Sequence, residues 1–187
     1  RRECQDMERD ATKSLFQNPL GQSLQPMLED DGAGLSLLHR GQRLRSRFAP
    51  LLSRAHGRPV AYRATVLSDA GTAAFAVDGA DLTLTAAVTT LHMRQFQAAH
   101  KGAGAWLVLP VPSPALEDAS LWPPVPQDLV ASDGFNPAEV MLSVTADSAP
   151  VAVLTDFAQY HRALGFTVEL RGLSPQRGDL ALLWAGS

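Results

Sequence analysis

Cysteine is nearly absent from this sequence: Cys4 is the only one among 187 residues, so neither an internal disulfide framework nor a cysteine-built zinc site is available to hold the fold. A reducing compartment, and with it a cytoplasmic location, is the expectation. Long apolar runs are missing as well. None reaches the roughly 18 residues needed to span a bilayer, and the N-terminus lacks the charged-then-apolar pattern of a secretory signal, so no membrane segment is expected in this chain. Short chemical signatures are also wanting, with no Gly-x-Ser-x-Gly elbow, no P-loop and no Gly-x-Gly-x-x-Gly. His39, His56, His92, His100 and His161 show no metal-ligand spacing and are expected as surface or capping residues. Asp156, Glu169 and Asp179 are single acids without evident partners.

What is present fits a globular domain. The chain is 45% hydrophobic and 19% charged, enough apolar material for one sizeable core. Its net charge of −3 is unevenly placed: from His39 to Arg63 there are seven arginines and no acid. Such a run suits an anion or an acidic partner as well as a plain solvated face. No nucleic-acid partner is expected.

Residues 1–43 are expected as a helical lead-in or linker, interrupted by Pro19 and Pro26 and closed by a loop over Glu29–Gly34. Two extended runs follow, Phe48–Ser53 and Val60–Ser68, separated by a Gly- and Pro-containing turn that predicts an antiparallel hairpin. After an apolar piece at Ala73–Val77, a helix is predicted over Asp81–Lys101 with Leu84, Val88, Leu91 and Ala98 on one face. Trp106–Val111, Val140–Val144 and Phe166–Leu170 have the continuous apolar character of strands buried on both faces. Val153, Phe157, Tyr160 and Leu164 mark an amphipathic helix that opens at Ser148-Ala149-Pro150 and stops at Gly165. Asp179–Trp184 suits another helix. Alternating strand and helix predicts an α/β protein built from βαβ units.

Several landmarks in this frame resemble those of the EAL domain, the cyclic di-GMP phosphodiesterase family. Pro50, Gly57 and Ala64 keep the frame of its opening hairpin, which runs Tyr-Gln-Pro-Ile, a turn with Gly, then Glu-Ala-Leu. Pro110-Val111-Pro112-Ser113-Pro114-Ala115-Leu116 resembles its Asn-Val-Ser strand end, and Leu142-Ser143-Val144-Thr145-Ala146-Asp147 its Leu-Glu-Ile-Thr-Glu-Ser. Leu164-Gly165-Phe166 stands where the family has a Leu-Gly strand leading to paired aspartates. The resemblance covers residues 44–187 and about the first two-thirds of such a domain. It implies a TIM-like (βα) barrel with an antiparallel first strand, incomplete at the C-terminus.

Family members hold divalent cations with carboxylates and an Asn at strand ends, and hard cations need oxygen ligands. Carried over position by position, the Glu of Glu-Ala-Leu falls on Arg63, the Asn on Pro110, the two Glu of the third motif on Ser143 and Ala146, and the paired aspartates on Arg171 and Gly172. Arginine is a permanent cation and proline has no side-chain oxygen. The resemblance therefore implies a degenerate domain, without catalytic residues, metal or cofactor, that works in bacterial regulation through a protein partner or its own oligomer. Arg54 and Arg58 are the candidate partner-binding residues. The alternative is a non-hydrolysing cyclic di-GMP receptor in which Arg63 and Arg171 meet the phosphates as bidentate donors. Ala49 and Leu67, which fall where the family has ligand-contacting Gln and Arg, weigh against that alternative.

Overall fold

A computed structural model describes residues 28–30, 32, 34–69, 82–100, 104–117 and 136–174. The expected lead-in over residues 1–27, the apolar piece at 73–77 and the helix at 179–184 lie outside them. In chain order the elements are β1 (Leu28–Asp30), β2 (Leu35–His39), β3 (Gln42–Leu52), β4 (Pro59–Ser68), α1 (Leu82–His100), β5 (Trp106–Pro110), α2 (Pro114–Glu117), a 3₁₀ turn (Pro137–Glu139), β6 (Val140–Thr145), α3 (Val151–Ala163) and β7 (Thr167–Arg171). The seven strands form one sheet in sequence order. β1 to β4 run antiparallel to their neighbours, and β4 to β7 run parallel. The hairpin, the three later strands and both long helices fall where the sequence placed them.

Residues 28–43 differ from the expected lead-in and loop, because β1 and β2 extend the sheet backwards from β3. The turn joining β2 to β3 has only two residues, Arg40 at φ 49° and Gly41 at φ 75°, closed by the His39–Gln42 pair. Positive φ at both central positions matches the right-handed twist of the flanking strands. An arginine there is an unusual choice, which is why the turn left no clear mark in the sequence.

Side chains on a strand alternate between faces, so each residue of a laterally registered pair shares a face with its partner. One face of this sheet carries Leu37, Leu44, Ala64, Val66, Leu107, Leu109, Leu142 and Val144, all buried. Helices cover it. The first half of α1 packs Leu84, Ala87, Val88 and Leu91 against Leu37, Leu44 and Val66. Its second half joins Met93 and Phe96 to Leu107, Leu109 and Leu142, where α3 adds Leu154 and Phe157.

Two helix faces are rotated from expectation. On α1 the buried stripe continues through Met93 and Phe96, while Ala98 is exposed. On α3 it is Leu154, Phe157 and His161, leaving Tyr160 at 37% exposure. Tyrosine counts as apolar in a periodicity, yet its hydroxyl favours the wet side. α3 ends in a Schellman motif, with Phe166 N–H donating to the His161 carbonyl at 3.0 Å and Gly165 N–H to the Arg162 carbonyl at 3.0 Å. Gly165, at φ 91°, supplies the left-handed residue this closure needs. Its predicted role as the stop is met.

One side chain substitutes for a missing rung of the sheet. The β2–β3 pairing runs only from Leu37–Leu44 to the turn, and beyond it Gln95 of α1 reaches between the strands. Its Oε1 accepts from Ser46 N–H at 2.9 Å and its Nε2 donates to the Leu35 carbonyl. The side-chain amide thus satisfies two backbone groups that the ladder would otherwise leave unpaired. Beside it, His92 Nδ1 lies 2.7 Å from Ser46 Oγ.

Candidate functional site

The face of the same strands turned away from α1 and α3, here called the open face, has a different composition, although Val108 and Ser143 on it are buried. Arg63 pairs laterally with Val108, Val108 with Met141, and Met141 with Thr167; two residues further along, Pro110 pairs with Ser143 and Ser143 with Glu169. Thr145 and Arg171 form the next pair. Arg63, Pro110, Ser143, Glu169 and Arg171 therefore share one face, with Pro110 and Arg171 at the C-terminal ends of their strands and Arg63 midway along β4. Parallel α/β sheets place ligands and chemistry at that end, because the strand-to-helix loops begin there.

A single interaction organises this face. Arg63 Nη2 donates to both carboxylate oxygens of Glu169, at 3.1 and 3.0 Å, linking β4 to β7 across the two strands between them. Both side chains keep just over a quarter of their surface exposed, so the pair lies at the rim of water. Below it Ser143 is 2% exposed, and its Oγ has no hydrogen-bond partner within the protein. The Nε atoms of Arg63 and Arg171 are likewise buried without a partner.

The sequence placed Arg63, Pro110, Ser143 and Arg171 at one site, and the strand register brings them to one face. It missed Glu169, expected as an acid without a partner; the ion pair with Arg63 corrects that. Period-two alternation was the available signal, since Glu169 and Arg171 flank Leu170 and must share a face. Arg47 was missed similarly. It pairs laterally with Thr65, two residues from Arg63, and so stands on the same open face. Its neighbours there are already engaged, Arg45 with Asp69 at 3.7 Å and Arg43 with Glu29 at 3.8 Å. Arg54 and Arg58 do not join this group. They are exposed in the β3–β4 turn, at the opposite end of the strands.

The expectation that the histidines lie at the surface fails for two of them. His92 is 2% exposed and His161 fully buried, and desolvation lowers both from 6.5 to about 4, holding them neutral at pH 7. His161 Nδ1 faces the Phe157 carbonyl at 2.9 Å, and His92 faces Ser46, so both belong to the helix-covered side. Neither reaches the open face.

Among the described residues no three His, Cys, Asp or Glu side chains come together as a metal site. Around Ser143, the Glu169 carboxylate, already bonded to the Arg63 guanidinium, shares the face with a hydroxyl and the Arg171 guanidinium. That donor set does not fit a divalent cation, which needs several oxygen ligands and no competing positive charge.

No family model and no curated protein matches the chain. Solved structures do match its fold. The phosphodiesterase PaMucR in complex with c-di-GMP superposes with a TM-score of 0.58 at 16% identity, over 76% of this chain and 63% of that one. The YkuI protein of Bacillus subtilis, with an EAL domain and in complex with substrate c-di-GMP and calcium, gives 0.58 at 12% identity, over 76% and 39%. The EAL enzyme Bd1971 in its cAMP- and cyclic-di-GMP-bound form gives 0.55 at 9% identity, over 72% and 42%. The chain therefore has an EAL-like fold, and it spans between 39% and 63% of the length of these three structures.

Proposed function

We propose that this chain is a catalytically inactive EAL-like regulatory domain of bacterial cyclic di-GMP signalling, which acts in the cytoplasm through a protein partner or its own oligomer. In this reading the open sheet face is the inner wall of a TIM-like barrel of which these strands are one part. The observation that supports it is the Arg63–Glu169 pair. Arg63 stands where the family's signature glutamate would reach a metal, and its guanidinium is bound to the nearest carboxylate. A divalent cation would have to displace that guanidinium and would then meet Arg171 on the same face. Hydrolysis by the two-metal route requires a metal-bound water and a clamp on the leaving oxygen, and these side chains supply neither.

The test is incubation of the protein with cyclic di-GMP and Mg²⁺ or Mn²⁺, followed by chromatography of the nucleotide. No linear product is expected. Metal-dependent turnover that is lost on Glu169→Gln would overturn the proposal.

A second reading, a non-hydrolysing cyclic di-GMP receptor, is favoured by a different observation. Arg47, Arg63 and Arg171 share this face, and among them only Arg63 is bonded to Glu169; guanidinium groups so placed suit phosphodiester oxygens. Calorimetry separates the two. A Kd tighter than about 1 mM, roughly −4 kcal/mol, that weakens on Arg171→Ala supports the receptor; no binding in that range leaves the first reading.

A further inference from the structure

Among the half-buried arginines of the open face, one stands without a counter-ion. Arg43 is paired with Glu29, Arg45 with Asp69 and Arg63 with Glu169. Arg47 is exposed, so water serves it. Arg171 is half-buried like the first three, yet no carboxylate among the described residues pairs with it. The acid beside it is already engaged: Glu169 stands two residues earlier on β7 and on the same face, but both its carboxylate oxygens accept from Arg63 Nη2.

The surroundings of Arg171 are short of partners too. Its Nε lies buried with no acceptor, and the Ser143 hydroxyl, in a side chain 2% exposed, has no partner either. Ser143 pairs laterally with Glu169 and Thr145 with Arg171, so the hydroxyl stands one strand over and two residues back from the arginine, on the same face. An unpaired buried donor costs more than a typical hydrogen bond gains. A half-buried guanidinium without a counter-ion adds the cost of desolvating a charge, and a ligand that brings one negative charge and free lone pairs offsets both.

Charge and shape select that ligand. Around Ser143 two guanidinium groups and one carboxylate leave one positive charge, which a monoanion balances and a dianionic phosphate beside Glu169 would exceed. The planar fork of arginine takes a carboxylate bidentately, and a carboxylate is what the other half-buried arginines of this face hold. The buried hydroxyl is within reach of a small group only. We propose that Arg171 and Ser143 form a binding site for the carboxylate of a small monoacid. This rests on the reading of the open face as a site without metal chemistry, and it adds the class of ligand and the residues that hold it. Neither Arg47 nor the bridged Arg63 is enlisted, which separates this site from a dinucleotide receptor.

The test is urea unfolding of the whole chain at pH 7 with EDTA, in about 0.1 M sodium acetate against the same concentration of sodium chloride. For a Kd of about 10 mM, acetate is expected to shift the unfolding equilibrium about tenfold toward the folded state. Arg171→Gln should abolish the shift, and Arg171→Lys, which keeps the charge but not the fork, should remove most of it; Ser143→Ala should reduce it to about threefold. Each variant is compared with itself in chloride, so a loss of stability cancels. Arg47→Gln should leave the shift whole, and Glu169→Gln should enlarge it by removing a like charge from beside the ligand. No difference between acetate and chloride, or a shift that survives Arg171→Gln or is unaltered in Ser143→Ala, would overturn the inference. Stabilisation by sodium dimethyl phosphate and not by acetate would overturn it in favour of the receptor. Metal-dependent hydrolysis of cyclic di-GMP would sink the preceding reading, whereas failure of the acetate shift sinks only this one.

Discussion

On the helix-covered face of the sheet, Ala64, Leu107, Leu109, Leu142 and Val144 are buried and apolar, whereas one residue away on the same strands the open face carries Arg63, Ser143, Glu169 and Arg171. The backbone is common to both, so the two faces differ only in what their side chains meet. Burial against α1 and α3 supplies the free energy that selects the fold. The other face, where buried Val108 and Ser143 stand beside Arg63 and Arg171, contributes less apolar surface to that layer. That separation is consistent with an EAL-like fold kept at 16% identity or less.

The difference between the faces is measurable, and the largest effect belongs to the covered one. Phe157 is fully buried between α3 and the sheet, and Phe157→Ala is expected to cost about 4 kcal/mol in urea unfolding. Arg47→Ala on the open face is expected to change stability by less than about 0.5 kcal/mol. Comparable losses for the two would erase the distinction.

Acid should act on the covered face next. His92 and His161 are buried with their pKa values lowered from 6.5 to about 4. A base whose folded pKa is depressed is neutral in the fold and takes up its proton more readily when unfolded. The stability it contributes is complete above about pH 6.5 and is lost as pH falls toward 4, by roughly 2–3 kcal/mol for each histidine. Urea midpoints between pH 7.5 and 4.5 should fall accordingly, and His161→Phe should flatten the slope. A variant with the parent's slope would mean that His161 is already charged or exposed. Smaller again is Gln95→Leu, which leaves Ser46 N–H and the Leu35 carbonyl without partners and should cost about 2 kcal/mol. Faster hydrogen exchange at Ser46 alone would locate the loss.

How much of this was legible in the sequence follows the same division. Trp106–Val111 and Val140–Val144 declare themselves as strands because burial makes them continuously apolar, and Gly165 marks the end of α3 because few residues take its backbone conformation. β3 is legible only in half: Arg43, Arg45 and Arg47 alternate with Leu44, Ser46 and Phe48 in a period-two pattern, but an arginine run also suits a charged surface, and only the part from Phe48 onward reads as strand. The site was legible by position and not by partnership. The family frame placed Arg63, Ser143 and Arg171, while the bond from Arg63 to Glu169 depends on the curvature of β4 to β7, which no local pattern encodes. His161 was hidden because a histidine one position from an apolar tyrosine gives no sign of which of the two faces inward.

The smallest expected effect is the most informative about the open face. The Arg63–Glu169 bridge joins β4 to β7 with good geometry, yet both side chains remain partly in water, where ion pairs are screened and lose much of their worth to the entropy of holding two long side chains. A double-mutant cycle with Arg63→Ala and Glu169→Ala should give a coupling of about 1 kcal/mol that shrinks between 0.05 and 0.5 M salt, roughly as the Debye length shortens. A coupling above about 3 kcal/mol, insensitive to salt, would instead make the bridge a structural brace. Arg63 would then be needed to keep the sheet curved, and the open face would no longer be free to change independently of the fold. The weaker, salt-sensitive value would assign Arg63 to the chemistry of the face, where its consequence is the neutralisation of Glu169.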